Sequence, residues 1–266
     1  MHLTVSHSTT YQYDTPVAYG LQELRLTPHT GVGQTVTSWQ TVVDGATSQV
    51  VFDDQYMNRV ELVRLEPDAL ETKILAQGTV ETTDTAGVIE EHSGFTPLWV
   101  FLRSTRQTGL GTGIRNLTKG LRDEPDEISR MHALSNRVRD SVDYETGRTV
   151  TNSTAEEVLQ TGSGVCQDHA HIFVTGARSL GVPARYVSGY LLIDDQIAQD
   201  ASHAWAEVWI EELGWLGFDV SNGISPDDRY VRVAAGLDYS EAAPISGVRF
   251  GVGEEQLQVS VQVQQQ

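Results

Sequence analysis

The chain of 266 residues holds one cysteine, Cys166. No intramolecular disulfide can form, and a zinc site built from several cysteines is excluded. Basic residues are scarce as well: 18 Lys and Arg stand against 36 Asp and Glu, a formal charge of −18. A surface of that sign repels phosphate backbones and anionic lipid, so neither a nucleic-acid nor a membrane partner is expected. No run approaches the roughly 20 consecutive apolar residues needed to span a bilayer. Residues 1–13 alternate polar and apolar and lack the apolar block of a signal peptide. Taking Met1 as the natural start, the reading is a cytoplasmic protein. What is present is ordinary for a globular chain, 39% hydrophobic and 8% aromatic, with length for one large domain or two modest ones. A lone cysteine is more often a small buried hydrophobe than a reactive group, so its surroundings must decide.

From Met1 to about Val88 the pattern is strand-like. His2-Leu3-Thr4-Val5-Ser6-His7 alternates, as do Arg59-Val60-Glu61-Leu62-Val63-Arg64-Leu65 and Gln77-Gly78-Thr79-Val80-Glu81-Thr82. Turn signals separate the runs at Asp14-Thr15-Pro16, Pro28-His29-Thr30-Gly31, Val43-Asp44-Gly45 and Glu66-Pro67-Asp68. Residues 1–88 therefore read as an all-β, sandwich-like domain. It gathers no nucleophile, base and acid, and reads as a scaffold or substrate-shaping unit. Residues 89–122, where Thr, Gly and Ser cluster, read as an irregular connection. Asp123-Glu124-Pro125-Asp126-Glu127 then opens a helix, with Ile128, Met131, Leu134 and Val138 at helical spacing to about Ser141. A second, short helix begins at Ser153 or Thr154. The third unit, 123–266, ends in a Gln-rich stretch expected to be a final strand fraying into a tail.

Chemistry concentrates in that third unit. Thr161-Gly162-Ser163-Gly164-Val165 leads into Cys166, and Ala170, Phe173, Val174, Ala177 and Leu180 keep a helical stripe until Gly181 and Pro183 end it. Cys166 is thus placed at the start of a buried helix, where unpaired amides and the dipole favour thiolate over thiol. The same amides suit the oxyanion formed when a carbonyl is attacked. Ala184 to Ile193 reads as a strand, Asp194 to Ser202 as a polar loop, and His203 to Ile210 as a strand opening on histidine. After Leu213-Gly214 the chain returns antiparallel through Trp215 to Val220, carrying Asp219. A histidine with a carboxylate on the neighbouring strand is the base-and-orienter half of a nucleophilic triad. A two-residue turn would put His203 and Asp219 on opposite faces. A shared face requires an odd loop or a bulge, which Gly214 or Gly217 would permit.

Gly164-Val165-Cys166-Gln167-Asp168-His169-Ala170, Gly181-Val182-Pro183-Ala184-Arg185-Tyr186-Val187-Ser188-Gly189-Tyr190, His203-Ala204-Trp205-Ala206-Glu207-Val208 and Gly214-Trp215-Leu216-Gly217-Phe218-Asp219 closely resemble the bacterial transglutaminase-like family, whose members are commonly described as cysteine proteases. The resemblance runs in order through about residues 125–225, and the N-terminal half resembles the β-rich domain that precedes this core in many members. It implies an α+β fold: a papain-like core, with the cysteine helix packed on an antiparallel sheet, behind an all-β domain. It also implies Cys166 as nucleophile, His203 as base and Asp219 as orienter, a peptide or protein amide as substrate, and no cofactor. Two departures count against protein crosslinking. Animal transglutaminases carry an aromatic residue after the cysteine, where this chain has Gln167. There is also no acidic calcium-loop pattern and no appended barrel domain. Hydrolysis is therefore favoured, with amine transfer and a non-catalytic binding module on the same fold as alternatives.

His169 and His171, with Asp168, raise a metal reading. Helix neighbours two apart point away from each other, so none is expected to bind an ion. Trp205, Trp209 and Trp215 read most simply as core and face residues. Gln160, Tyr144 and Asn152 are candidates for a second oxyanion donor, and each also has an ordinary surface reading.

Overall fold

The structure is a computed structural model that describes residues 1–90, 92, 95–193 and 198–266. The N-terminal part of the chain forms β1 (His2–Tyr13), β2 (Tyr19–Thr27), β3 (Gln34–Asp44), β4 (Ala46–Asp53), β5 (Arg59–Leu65), β6 (Glu71–Thr82) and β7 (Val88–Glu90). Helices α1 (Thr112–Leu117) and α2 (Glu127–Ser141) precede β8 (Asp143–Tyr144), α3 (Ala155–Thr161), β9 (Ser163–Gly164) and α4 (Cys166–Ser179). Then come β10 (Ala184–Leu191), β11 (Ala198–Gln199), β12 (His203–Ile210), β13 (Gly214–Phe218) and β14 (Tyr230–Gly236). The chain closes with α5 (Tyr239–Ala242), β15 (Ile245–Phe250) and β16 (Glu255–Gln265). Of the connection expected over 89–122, residues 91, 93 and 94 lie outside the described residues, as do 194–197 of the polar loop.

Both predicted helix starts have a physical stop on their first amides. Asp126 accepts from Ser129 N–H at the head of α2, and Thr154 with Glu157 forms a reciprocal capping box on α3. Such caps contribute about 1 kcal/mol each.

Two sheets, ordered β11-β16-β1-β6-β3 and β15-β2-β5-β4, face each other as a sandwich. Tyr11, Leu24, Leu26, Val63, Leu65, Ile74 and Ala76 fill the space between them. The C-terminal segment belongs here. β16 pairs with β1 from Leu3↔Gln265 to Tyr13↔Glu255, so the Gln-rich end is a paired strand rather than a frayed one, and β15 pairs with β2.

The remaining sheet, β14-β10-β12-β13-β7, carries α4 on one face. Ala184, Ala206, Val208, Leu216 and Phe218 meet Ile172, Phe173, Val174 and Ala177 there in one buried cluster, joined by Met131, Leu134 and Val138 of α2. The other face turns toward the sandwich. Its outer strand, β14, is held by two amide side chains of the sandwich, one at the start of β3 and one in the β4–β5 loop. Gln34 exchanges hydrogen bonds with the backbone of Arg232, and Asn58 does the same with Ala235. These side chains supply the partners that an edge strand would otherwise leave open.

The sandwich-facing side also buries charge. Glu207, fully buried, is bracketed by Arg185 and Arg232, and the Arg185 guanidinium lies 4.0 Å from the centroid of the Trp215 ring. Removing one member of a buried ion network leaves the others uncompensated. Glu207→Ala should therefore lower the unfolding free energy by about 3–5 kcal/mol, read as a fall in the urea midpoint. A change below about 1 kcal/mol would contradict the role given to this network.

Candidate active site

The site begins with a tight approach to α4. Gly162 ends α3 in the left-handed region at φ 74°, and β9 then pairs in parallel with β8. Asp168, inside the first turn of α4, reaches back with Oδ2 to accept from Val165 N–H at 2.9 Å and Thr149 Oγ1 at 2.7 Å. That leaves Cys166 as the first residue of the helix, half-buried and facing the helix's unpaired amides.

The face problem left by the sequence is resolved by an odd loop. Ile210 pairs with Gly214 and Ala206 with Phe218, so three residues, 211–213, make the turn. The backbone allows this because Glu212 takes φ 67° and Gly214 φ 95°; glycine adopts the latter without a Cβ penalty. The same register places Asp219 beyond Phe218 on the face of Trp205 and His203. Both groups therefore point away from α4, at the end of the sheet that Cys166 reaches.

Asp219 is fully buried and meets a dense set of donors. Its Oδ2 accepts from His203 Nε2 at 2.6 Å, Tyr230 Oη at 2.7 Å and Asn222 Nδ2 at 2.7 Å. Its Oδ1 accepts from the Asn222 amide at 3.2 Å. Burial would raise the carboxyl pKa, but these bonds and the imidazole charge outweigh it and hold it below the usual value. For His203 burial acts the other way. Hydrogen bonds with Asp219 and Cys166, and the negative charge of both, overcome the cost and raise its pKa from 6.5 to about 10. With Nε2 committed to Asp219, Nδ1 is the nitrogen left for Cys166.

Of the three candidate oxyanion donors, Tyr144 is the one brought to Cys166. Its hydroxyl lies within electrostatic reach of Sγ and of the Cys166 amide. Burial, then the nearby sulfur charge, pushes its pKa up to about 12. Gln160 instead bonds Glu156 at 3.3 Å. His169 lies under the Tyr144 ring, with centroids 6.2 Å apart and planes 13° from parallel. Its two nitrogens face the carbonyls of Val165 and Val142. His171 takes a hydrogen bond from Tyr239 N–H on its Nε2. These histidines and Asp168 are thus committed to separate partners.

Sequence reading missed Tyr230 and Asn222, which hold the buried carboxylate. Asn222 lies three residues past Asp219 and fits an Asx-type turn. Tyr230 returns only through the start of β14, and no local pattern announces it. Trp205 is a core residue, as its place in the strand implies, at 1% exposure. It also stacks on His203, with centroids 6.3 Å apart and planes 29° from parallel.

A cysteine opening a helix, beside a histidine and carboxylate on neighbouring antiparallel strands, defines a papain-like class of α+β protein. Comparison with known proteins makes the assignment specific. Residues 115–220 match the model of the transglutaminase-like superfamily core, and residues 3–81 that of the bacterial transglutaminase-like N-terminal region. The chain belongs to the transglutaminase-like superfamily, in its bacterial two-part form. An uncharacterized protein of Mycobacterium leprae is 29% identical over 98% of each chain. A Pseudomonas aeruginosa protein-glutamine gamma-glutamyltransferase is 31% identical over 35% of this chain and 16% of its own. A Cytophaga hutchinsonii crystal structure described as a "putative cysteine protease" superposes over all of this chain and 91% of its own, with TM-score 0.79 at 20% identity. The fold is transglutaminase-like, mixed α+β, with an N-terminal β-rich region. No helix among the described residues is long and apolar enough to cross a membrane.

The raised His203 pKa makes a linkage prediction. Its folded value, about 10, exceeds the unbound 6.5, so its stabilisation is complete below the lower value and is lost as pH rises through the upper one. The stability advantage of wild type over His203→Gln, measured by urea unfolding, should shrink from pH ~7 to ~10. A gap that widens with pH would contradict the ion pair.

Proposed function

We propose that the chain is a cysteine-dependent acyl-transfer enzyme acting on amide bonds of peptides or proteins, with hydrolysis the favoured outcome. The observation that carries this reading is the continuous line from Cys166 through His203 to the buried, fully hydrogen-bonded Asp219. An inert cysteine needs no such partner.

In this mechanism a thiolate at Cys166 and an imidazolium at His203 form the resting pair. Sγ attacks the carbonyl carbon and the C–S bond forms as the carbonyl electrons move onto oxygen. That oxygen is received by the Cys166 amide at the start of α4, with the nearby Tyr144 phenol turned to donate to it. Collapse breaks the C–N bond, and His203 gives its proton to the departing amine. The thioester is then attacked by water, whose proton returns to His203, and the acid leaves with Sγ restored. Asp219 keeps the imidazole tautomer and balances its charge without taking the proton. The sequence of steps needs no cofactor. A free thiol in constant use suits a reducing compartment, so we place the protein in the cytoplasm.

A second reading replaces water by an amine. It is favoured by the activity for which the Pseudomonas relative is named, and Gln167 in place of an aromatic residue argues the other way.

Cys166→Ala and His203→Ala should each lower kcat/KM for a peptide amide by at least ~10³-fold, and the double variant should lose little more, because the two act as a unit. Tyr144→Phe should cost about 10²-fold, as expected for one oxyanion donor. Acyl-Cys166 should be trapped by acid quench and seen by mass spectrometry. Full activity of Cys166→Ala would end the proposal. Monodansylcadaverine incorporation outrunning acid release would replace hydrolysis by transfer.

A further inference from the structure

In a two-layer sandwich the side chains that point away from the partner sheet meet water and are normally polar. The β11-β16-β1-β6-β3 sheet follows that rule. Thr4, Ser6 and Ser8 of β1 stand opposite Gln264, Gln262 and Ser260 of β16, on the face away from the buried Val5, Val261 and Val263.

The β15-β2-β5-β4 sheet breaks it. Leu24 of β2 and Val63 and Leu65 of β5 point into the sandwich. Tyr19, Leu21 and Leu62 have the opposite parity and point out. Strand pairing carries this outer face to both edges: Phe250 stands opposite Tyr19, Val248 opposite Leu21, and Val50 opposite Leu62. A register shift between Ser48 and Val50 puts Val50, in place of Gln49, beside Leu62. The rings of Tyr19 and Phe250 meet with centroids 6.1 Å apart. Exposure is 43% at Tyr19, 46% at Val50, 59% at Val248 and 64% at Phe250. These four alone leave on the order of 400 Å² of apolar surface in water, the size at which a patch marks an interaction site.

Charge and area narrow the occupant. The chain carries −18, so two copies repel over most of their surfaces. On this face Arg25 and Arg64 stand against one carboxylate, Glu23, and the acid repulsion is lifted. Arg25 is held by Glu23 at 2.7 Å and by Asp54 at 3.6 Å. Arg64 makes no ion pair among the described residues and is left to meet a carboxylate across a contact. A twofold contact sets one patch on its own copy, which an uninterrupted apolar centre with a mixed-charge margin satisfies. Covering the patch and its margin on both copies removes about 1,000 Å² from water, enough for a specific association.

We propose that the outer face of the β15-β2-β5-β4 sheet is the interface of a twofold dimer of this chain, with the two sheets stacked face to face. Sheets packed in that way lie about 10 Å apart with their side chains interdigitated. Cys166, His203 and Asp219 all lie outside this face, so the pairing stands whatever the chemistry at the cysteine.

Sedimentation velocity on the full-length protein should show a reversible dimer with a dissociation constant in the micromolar range, about that of a small interface. Val248→Asp and Phe250→Asp should each raise that constant by at least ~50-fold, with Tm unchanged at a concentration where wild type is monomeric. Trp99→Asp, as exposed at 62% but on the turn at Leu98–Leu102, should leave the constant unaltered. Added salt screens the repulsion between the acidic bodies and should tighten the wild-type dimer. Hydrogen exchange localises the contact without a variant: protection at residues 246–250 should rise as the concentration passes the dissociation constant. A monomer at every concentration overturns the second copy as occupant and assigns the face to a different protein. A dimer that neither β15 substitution weakens, that salt loosens, or whose added protection falls elsewhere also overturns the proposal.

Discussion

A carboxylate with no exposure to water has to find its compensation inside the protein, and Asp219 is such a group. Leaving it unpaired would cost several kcal/mol. The local chain is arranged to prevent that. The 219–224 turn closes on itself through Asp219 N–H to Ile224 O and Gly223 N–H to Asp219 O, which brings Asn222 back onto the carboxylate. The same turn sends the chain toward β14, so that Tyr230 returns on the other side. His203 completes the set only if β12 and β13 pair in the observed register. The register, the turn and the start of β14 are thus three consequences of one requirement. Moving the pairing by a single residue would turn His203 and the carboxylate to opposite faces.

The charge on Asp219 then governs the histidine. A carboxylate whose lone pairs are taken by Tyr230 and Asn222 is a poor proton acceptor, which keeps the shared proton on the imidazole. The positive ring in turn lies beside the sulfur at the start of α4, next to the helix's unpaired amides. Helix start and ring act on Cys166 from different directions, and each is fixed by its own core: α4 by packing under the sheet, the ring by hydrogen bonds on the opposite face.

Much of this was legible in the residues, for reasons that can be named. The helix starts near residues 123–127 and 153–154, the stripe from Ala170 to Leu180 and the strand-like pattern of the N-terminal half are local patterns, and helices and strands formed there. The shared face of His203 and Asp219 hung on one loop of odd or even length, and a positive φ at Glu212 decided it. An acidic residue in that conformation leaves no distinctive trace in a sequence. Tyr230, and the return of β15 and β16 to β2 and β1, depend on pairings between distant segments, where local periodicity carries no information.

The pairing of β16 with β1 also bears on how the two halves hold together. Leu3 and Gln265 are partners at opposite ends of the chain, and the sheet that carries α4 lies in sequence between strands of the sandwich. Closing so long a loop is entropically expensive, though the cost grows only slowly with length. A core that is already folded shortens the effective loop by bringing its two ends together. The side-chain amides of Gln34 and Asn58 then fasten the sandwich to β14 at fixed points. Several covalent crossings and the hydrogen bonds of Gln34 and Asn58 join the units where a single linker would allow them to swing. The wall that the sandwich presents to Trp205 and Tyr230 is therefore set by the same backbone pairings that hold the sheets together.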